Sequence, residues 1–336
     1  MADEAAVAPA IVAVVVNAAR VDFEGDLDLN SIRAVARVVL HNDDHPSEDV
    51  LVQRVVDASA TIVITKEIPV PRSAIARLPT SVRLICEAGT GFNNIDIVAA
   101  REMGILVCNV PDYSSTAVAQ LVLAFLLNHS VSLPAQQHML SAGDRRNFTD
   151  RVQVPLFELQ GKTIGLVGGR GTIGRKVTEL CLALGMRVIV SSRHPVAASN
   201  GDDPRVEITT SLGHLLAASD FVSLHCPLTN ETRNLIDAAA LTLMKPTAYL
   251  INTARGGMID QDALITALAA GTIAGAALDV QAEEPPPADC PLYTLPNVCL
   301  TPHIGWERKE SRQRLLDAVA SNMKAFVDGE PRNIVN

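Results

Sequence analysis

The segment Lys162-Thr-Ile-Gly-Leu-Val-Gly-Gly-Arg-Gly-Thr-Ile-Gly174 restricts the fold more than any other part of the chain. Thr163 to Val167 is a short apolar run with β-branched residues and reads as a buried strand. Thr172 to Leu184 carries its apolar residues at helical spacing. Between the two, Gly169, Gly171 and Gly174 match G-x-G-x-x-G, with Arg170, Thr172 and Ile173 in the intervening places. Strand, glycine turn and helix in that order are the context in which this spacing binds the phosphates of a dinucleotide. Gly169 is expected to allow the tight turn, Gly171 to let the backbone approach a pyrophosphate, and Gly174 to let the helix pack on the strand. The free N–H groups at the helix start would face the phosphates. Gly168 stands directly before Gly169, so either glycine could lead the turn.

Short strand patterns alternate with helical ones on both sides of this segment. Before it, strands are expected at Ile11–Val16, Val38–Leu40, Thr61–Thr65, Arg83–Cys86 and Ile105–Cys108, with helices at Leu27–Val35, Glu48–Ala58, Arg72–Arg77 and Asn94–Met103. After it, strands are expected at Val188–Ser191, Phe221–His225, Ala248–Ile251, Gly275–Leu278 and Val298–Leu300. The helix Gln261–Ala270 ends at Gly271, and a long amphipathic helix runs from Glu307 to Val327. Such alternation predicts α/β architecture with two doubly wound parallel sheets. Ser114 to about Leu140 is one long, largely apolar helical region, broken or kinked near Pro134, that must be buried on several sides. Gly143 to Phe148 reads as a polar, basic loop.

Composition narrows the function classes. A chain of 336 residues can hold two sizeable cores, and only 3% aromatic residues leaves those cores to Val, Leu, Ile and Ala. A net charge of −9 offers no basic face to nucleic acid. The six cysteines form no C-x-x-C and mostly sit in apolar runs, which suits free thiols in a reducing compartment. Met-Ala-Asp-Glu at the start does not resemble a signal peptide. Ala117–Leu127, the longest strongly apolar stretch, is too short to span a bilayer. A cytoplasmic protein with no nucleic-acid or membrane partner is the resulting expectation.

A dinucleotide site also needs a group for the adenine ribose, and NAD-preferring domains place Asp or Glu at the end of the second strand, about 20 residues on. That place holds Ser192, with Arg193 next to it. A carboxylate would repel a 2′-phosphate, whereas serine and arginine would bind one. NADP is therefore favoured over NAD.

Three further segments follow in order: Asn252-Thr-Ala-Arg-Gly-Gly257, Ala277-Leu-Asp-Val-Gln-Ala-Glu-Glu-Pro285 and Thr301-Pro-His-Ile-Gly305. Together with Glu87-Ala-Gly-Thr-Gly-Phe-Asn-Asn-Ile-Asp96, Asn109-Val-Pro111 and His225-Cys-Pro-Leu228, they make the chain resemble the D-isomer-specific 2-hydroxyacid dehydrogenases over nearly its whole length. The similarity is greatest to the glycerate dehydrogenase and hydroxypyruvate or glyoxylate reductase branch.

The resemblance implies a Rossmann-type cofactor domain, residues 109–302, inserted into a flavodoxin-like substrate domain made of residues 1–108 and 303–336. It places the active site in the cleft between the two domains and makes a homodimer the expected assembly. The substrate is then a small 2-keto or 2-hydroxy acid. Arg255 would hold its carboxylate and polarise the carbonyl, a task suited to a planar guanidinium. His303 would be the acid in reduction and the base in oxidation, oriented by Glu284. Asp279 would hold the nicotinamide side of the cofactor, with Cys226, Pro227, Thr253 and Ala254 lining it. The backbone N–H groups of Ala88, Gly89 and Thr90 would bind the substrate carboxylate.

Other clusters carry less. His41-Asn-Asp-Asp-His-Pro46 has metal-type residues but no framework to fix them, and no metal is expected. The chain departs from the family pattern at Gly168-Gly169, at Gln281 where an aromatic residue is usual, and at Gln120 where Glu is usual. Rival readings are a formate dehydrogenase, which Glu284 argues against, a phosphoglycerate or D-lactate enzyme, and a nucleotide-sensing corepressor of the same fold.

Overall fold

The structure is a computed structural model and describes residues 11–150, 154–194 and 203–336. The acidic N-terminal tetrapeptide read above lies outside the described residues. The chain forms two compact units, one comprising residues up to Ser114 together with Glu307–Asn336 and the other Ser115–Trp306.

The first unit begins with alternating β1 (Val12–Val15), α1 (Asn30–Arg33), β2 (Arg37–Leu40), α2 (Glu48–Asp57), β3 (Ile62–Thr65), α3 (Arg72–Ile75), β4 (Leu84–Glu87), α4 (Ile97–Glu102) and β5 (Leu106–Cys108). Its five strands are all parallel in the order β2-β1-β3-β4-β5. That is the flavodoxin-like order, which reverses between β1 and β3. Strands β1, β3 and β4 are buried along their whole length because helices cover both faces. The Asp96 side chain accepts the Ala99 N–H at 2.8 Å and starts α4 there, so the helix is shorter than its apolar pattern suggested.

The second unit opens with α5 (Ser115–Ser130), α6 (Leu133–Ser141) and α7 (Arg146–Thr149). The break expected near Pro134 is a bend of 61° between α5 and α6, with Ser132 in the left-handed region. Burial is confined to α5: α6 has no buried residue, so the long region is not enclosed throughout. The stretch read as a loop overlaps the single turn α7. No single helix among the described residues is long and apolar enough to cross a membrane.

Then follow β6 (Thr163–Val167), α8 (Thr172–Ala183), β7 (Arg187–Ser191), β8 (Val206–Thr209), α9 (Leu212–Ala218), β9 (Phe221–Leu224), α10 (Ala238–Leu243), β10 (Tyr249–Asn252), α11 (Gln261–Ala269), β11 (Gly275–Leu278) and β12 (Val298–Leu300). The seven strands are parallel in the order β12-β11-β10-β9-β6-β7-β8. This is a dinucleotide-binding arrangement, and its order reverses between β6 and β9. Strand β8 was absent from the sequence reading; it is an edge strand with both central residues exposed and so carries no apolar run. The helix α12 (Lys309–Val327) completes the first unit.

Candidate active site

The glycine turn follows β6 at the point where the strand order reverses. Its tight bend belongs to Gly168 rather than Gly169: Gly168 has φ +85°, and a Cβ there would lie 2.7 Å from the Cys226 nitrogen. The turn therefore presses against the chain leaving β9. Gly169 serves a different purpose from the one expected, because a Cβ on Gly174 would lie 2.4 Å from the Gly169 α-carbon. Helix α8 thus closes onto the turn itself. Gly171 is the N-cap of α8 and supplies no capping side chain, so Thr172, Ile173 and Gly174 present the first-turn N–H groups. The Gly168 N–H is received by Ser191 Oγ at 3.3 Å, a contact that the motif did not indicate.

Beside the turn, two polar atoms lack a partner. His225 Nε2 and Thr253 Oγ1 are closed off from solvent with no hydrogen bond from the described protein atoms. They lie one residue beyond the paired positions Leu224 and Asn252 on the neighbouring strands β9 and β10. Burial pushes the His225 imidazole down to about 4, so it is neutral at physiological pH. Burial lifts the Cys226 thiol to about 11 and keeps it protonated. Buried polar atoms ordinarily have partners. An uncapped helix start, a glycine face left open and two orphaned polar groups at a switch point fit a dinucleotide. Gly169, Gly171, Thr172, Ile173 and Gly174 would hold its phosphates, and Cys226, Thr253 and their neighbours its nicotinamide half.

At the position expected to meet the adenine ribose, Ser192 Oγ donates to the His194 carbonyl at 2.8 Å. Arg193 is exposed, and its charge reaches Glu231. Arg170 and Pro227 are exposed as well.

The Arg255 segment is fixed from two sides. Asn252, fully buried, accepts the Ala254 N–H at 3.0 Å and donates to the Arg255 carbonyl at 2.9 Å. Gly256 lies so close to the next loop that a Cβ would fall 1.9 Å from the Gln281 carbonyl carbon. The guanidinium donates to the Ala254 carbonyl at 2.7 Å through one of its five N–H groups.

His303 stands in the loop after β12 with φ +57°, unusual for a non-glycine residue. Its Nδ1 is 2.8 Å from Glu284 Oε2, while Glu284 Oε1 accepts the Gln281 N–H at 2.9 Å. Asp279 holds this loop. Its buried carboxylate accepts the Thr301 hydroxyl at 2.6 Å and the Ile304 and Gly305 N–H groups at 2.9 Å. The Asp279 carbonyl accepts the His303 N–H at 2.8 Å. The structure thus shows Asp279 serving the His303 loop, a task that the sequence reading did not give it.

In the first unit, the loop after β4 corrects one expectation. The Ala88 N–H donates to the Thr65 carbonyl at 2.7 Å and is consumed by the sheet. Gly89 and Thr90 remain as the donors the loop can offer. The loop is held by the Val110 N–H on the Gly89 carbonyl, the Thr90 hydroxyl on the Val110 carbonyl and the Asn109 amide on the Thr90 carbonyl.

The family model for the D-isomer-specific 2-hydroxyacid dehydrogenase NAD-binding domain matches residues 123–305. The hydroxypyruvate reductase of Blautia hydrogenotrophica is 33% identical over 315 residues, 93% of this chain and 96% of that one. This chain belongs to the D-isomer-specific 2-hydroxyacid dehydrogenase family. Among solved structures, the NADPH-dependent glyoxylate/hydroxypyruvate reductase of Sinorhizobium meliloti, in complex with NADP and malonate, superposes with a TM-score of 0.80 at 26% identity, covering 97% of this chain and 96% of that one. The D-lactate dehydrogenase of Aquifex aeolicus, complexed with NAD and lactic acid, gives 0.78 at 26% identity, covering 95% and 96%. The dehydrogenase is an oxidoreductase that transfers a hydride between a nicotinamide cofactor and a 2-hydroxy acid.

Proposed function

We propose that the enzyme reduces glyoxylate or hydroxypyruvate to the D-2-hydroxy acid, with NADPH preferred to NADH. The observation that carries this reading is the 2.8 Å pairing of Glu284 with His303, in the same unit as Arg255 and the glycine turn. Bound NADPH supplies the hydride that becomes the new C–H bond. With Nδ1–H donating to Glu284, the opposite nitrogen, Nε2, is the one that delivers a proton to the carbonyl oxygen. Arg255 binds the carboxylate and draws charge from the carbonyl, using the donors that its own loop leaves open. The proton acceptor in the reverse direction is the same imidazole.

The NADP preference is supported by Ser192 and Arg193 at the end of β7, where an NAD-preferring domain would carry a carboxylate. Homodimer formation is supported by the exposed apolar side chains of the α5–α7 region, Leu127, Val131, Leu133, Leu140 and Phe148, the last 78% exposed. Six free thiols suit a reducing cytoplasm.

The direct test follows loss of NADPH absorbance with glyoxylate, hydroxypyruvate and pyruvate. Turnover should be abolished in Arg255→Gln, with NADPH affinity kept within about twofold, because the guanidinium acts on substrate and transition state. Undiminished turnover in that variant removes Arg255 from its role. Tight nucleotide binding with no turnover of any keto acid by the wild type would favour a nucleotide sensor.

A further inference from the structure

The reaction proposed above draws no group from the segment after β3, yet that segment buries a cation. Lys66 is 2% exposed. Its main chain is clamped by Asn17, whose Oδ1 accepts the Lys66 N–H at 3.1 Å and whose Nδ2 donates to the Lys66 carbonyl at 2.7 Å. The ammonium lies 2.6 Å from Glu67 Oε1 and 6.0 Å from the centre of the Tyr113 ring. Arg20 in turn holds Glu67 at 3.0 Å and Glu307 at 3.2 Å.

On its other side the ammonium meets the substrate loop. A Cβ on Gly89 would be 3.4 Å from Lys66 Nζ and 3.2 Å from Glu87 Oε1. Glu87 is fully buried and receives the Thr65 hydroxyl at 2.7 Å, the Asn94 amide at 3.0 Å and the Glu67 N–H at 3.0 Å. Burial raises the Glu87 pKa, while Lys66 and these three donors work against that rise and favour the charged form. Two carboxylates therefore stand behind a turn that offers its N–H groups to an anion, and Lys66 is the cation between them. Burial pulls the Lys66 ammonium down, but Tyr113, Glu67 and Glu87 outweigh it, and its pKa is raised. Lys66, Asn17 and Ala88 also line a cavity of 440 Å³ bounded by Val15 of β1 and Ile64 of β3. Those strands flank the point where the first sheet reverses its order, the place where doubly wound sheets admit ligands.

We propose that Lys66 is a specificity-determining residue for the 2-keto acid reduction assigned above: its buried ammonium offsets Glu67 and Glu87, so that their negative charge does not repel a substrate carboxylate at the Gly89–Thr90 turn, and the acid is favoured over an uncharged carbonyl compound. This rests on that assignment. The interaction is electrostatic and acts over a few ångströms in a poorly screened setting.

Lys66→Met keeps the aliphatic length and removes the charge. With glyoxylate, KM should rise about tenfold or more with kcat within about twofold. With methylglyoxal, a small carbonyl substrate without a carboxylate, kcat/KM should hold steady, so the preference for the acid collapses. Glu67→Gln removes one negative charge and should move glyoxylate KM in the opposite direction; it decides the matter if Lys66→Met does not fold. Equal losses on both compounds, no loss on either, or an unchanged KM in Glu67→Gln overturns the role of Lys66 while leaving the reaction intact. Failure of the wild type to reduce any 2-keto acid overturns the reaction and the inference together.

Discussion

Glu284 ties the ring of His303 to its own loop: one carboxylate oxygen is 2.8 Å from His303 Nδ1, and the other accepts the Gln281 N–H at 2.9 Å. The ring is thereby fixed in orientation and the carboxylate in place. Glu284→Gln preserves a hydrogen-bond acceptor but removes the charge that accompanies the imidazolium. A hydrogen bond to a charged group contributes about 1.5–3 kcal/mol. Reduction near neutral pH should fall roughly tenfold or more. A rate profile superposable on the wild type's would leave Glu284 with a purely steric part.

Asp279 offers a sharper division between two roles. The resemblance put it on the cofactor, whereas its carboxylate is engaged by Thr301, Ile304 and Gly305. In Asp279→Asn one oxygen becomes an amide donor. If it replaces Oδ2 it faces the Gly305 N–H, leaving a buried donor unsatisfied at a cost of about 1–3 kcal/mol. The loop bearing His303 should loosen and kcat should drop, while the NADPH dissociation constant, measured by fluorescence titration, changes by no more than about twofold. A large rise in that constant with kcat preserved would return Asp279 to the cofactor.

Periodicity made most of the strands legible, because parallel strands covered on both faces must be written as short apolar runs, as in Val12–Val15, Ile62–Thr65 and Thr163–Val167. Where that pressure is absent, the pattern is silent. Strand β8 is Val-Glu-Ile-Thr with its central residues facing solvent at the sheet edge, so no continuous apolar run marks it. Motif order exposed Arg255, Glu284 and His303, but only as a resemblance; nothing in their spacing states that two loops bring His303 within 2.8 Å of Glu284. Which of Gly168 and Gly169 makes the bend, and what Glu87 and Lys66 contribute, were hidden for a related reason. Each depends on what lies across the fold from it, a β9 exit, a turn or a buried counter-charge, and no local pattern encodes such a neighbour.

Cofactor choice can be tested at a single side chain. Ser192 directly follows the second strand of the cofactor sheet and keeps its hydroxyl on the His194 carbonyl. Ser192→Asp would place a carboxylate where the proposed NADP preference puts the 2′-phosphate. NADPH should weaken on the order of tenfold or more, with NADH much less affected. Parallel titrations of both cofactors check this, and an equal effect on the two would show that the phosphate is not read at this position.

Gly256 makes the most stringent steric prediction. A Cβ there would lie 1.9 Å from both the carbonyl carbon and oxygen of Gln281, and this neighbour is main chain, which cannot rotate away. Gly256→Ala must separate the Arg255 segment from the 281–284 loop, the two stretches that carry the guanidinium and the carboxylate partner of His303. Overpacking of this kind usually costs about 1–3 kcal/mol of stability, and a displacement of about 1 Å at a reacting group can cost about a hundredfold in rate. The variant should melt several degrees lower, in keeping with the usual few degrees per kcal/mol, and kcat/KM for glyoxylate should fall on the order of a hundredfold. NADPH binding should decline far less, since the glycine turn lies at the end of β6, outside both segments. A stable variant with wild-type kcat/KM would mean that the two loops can part without moving either Arg255 or Glu284.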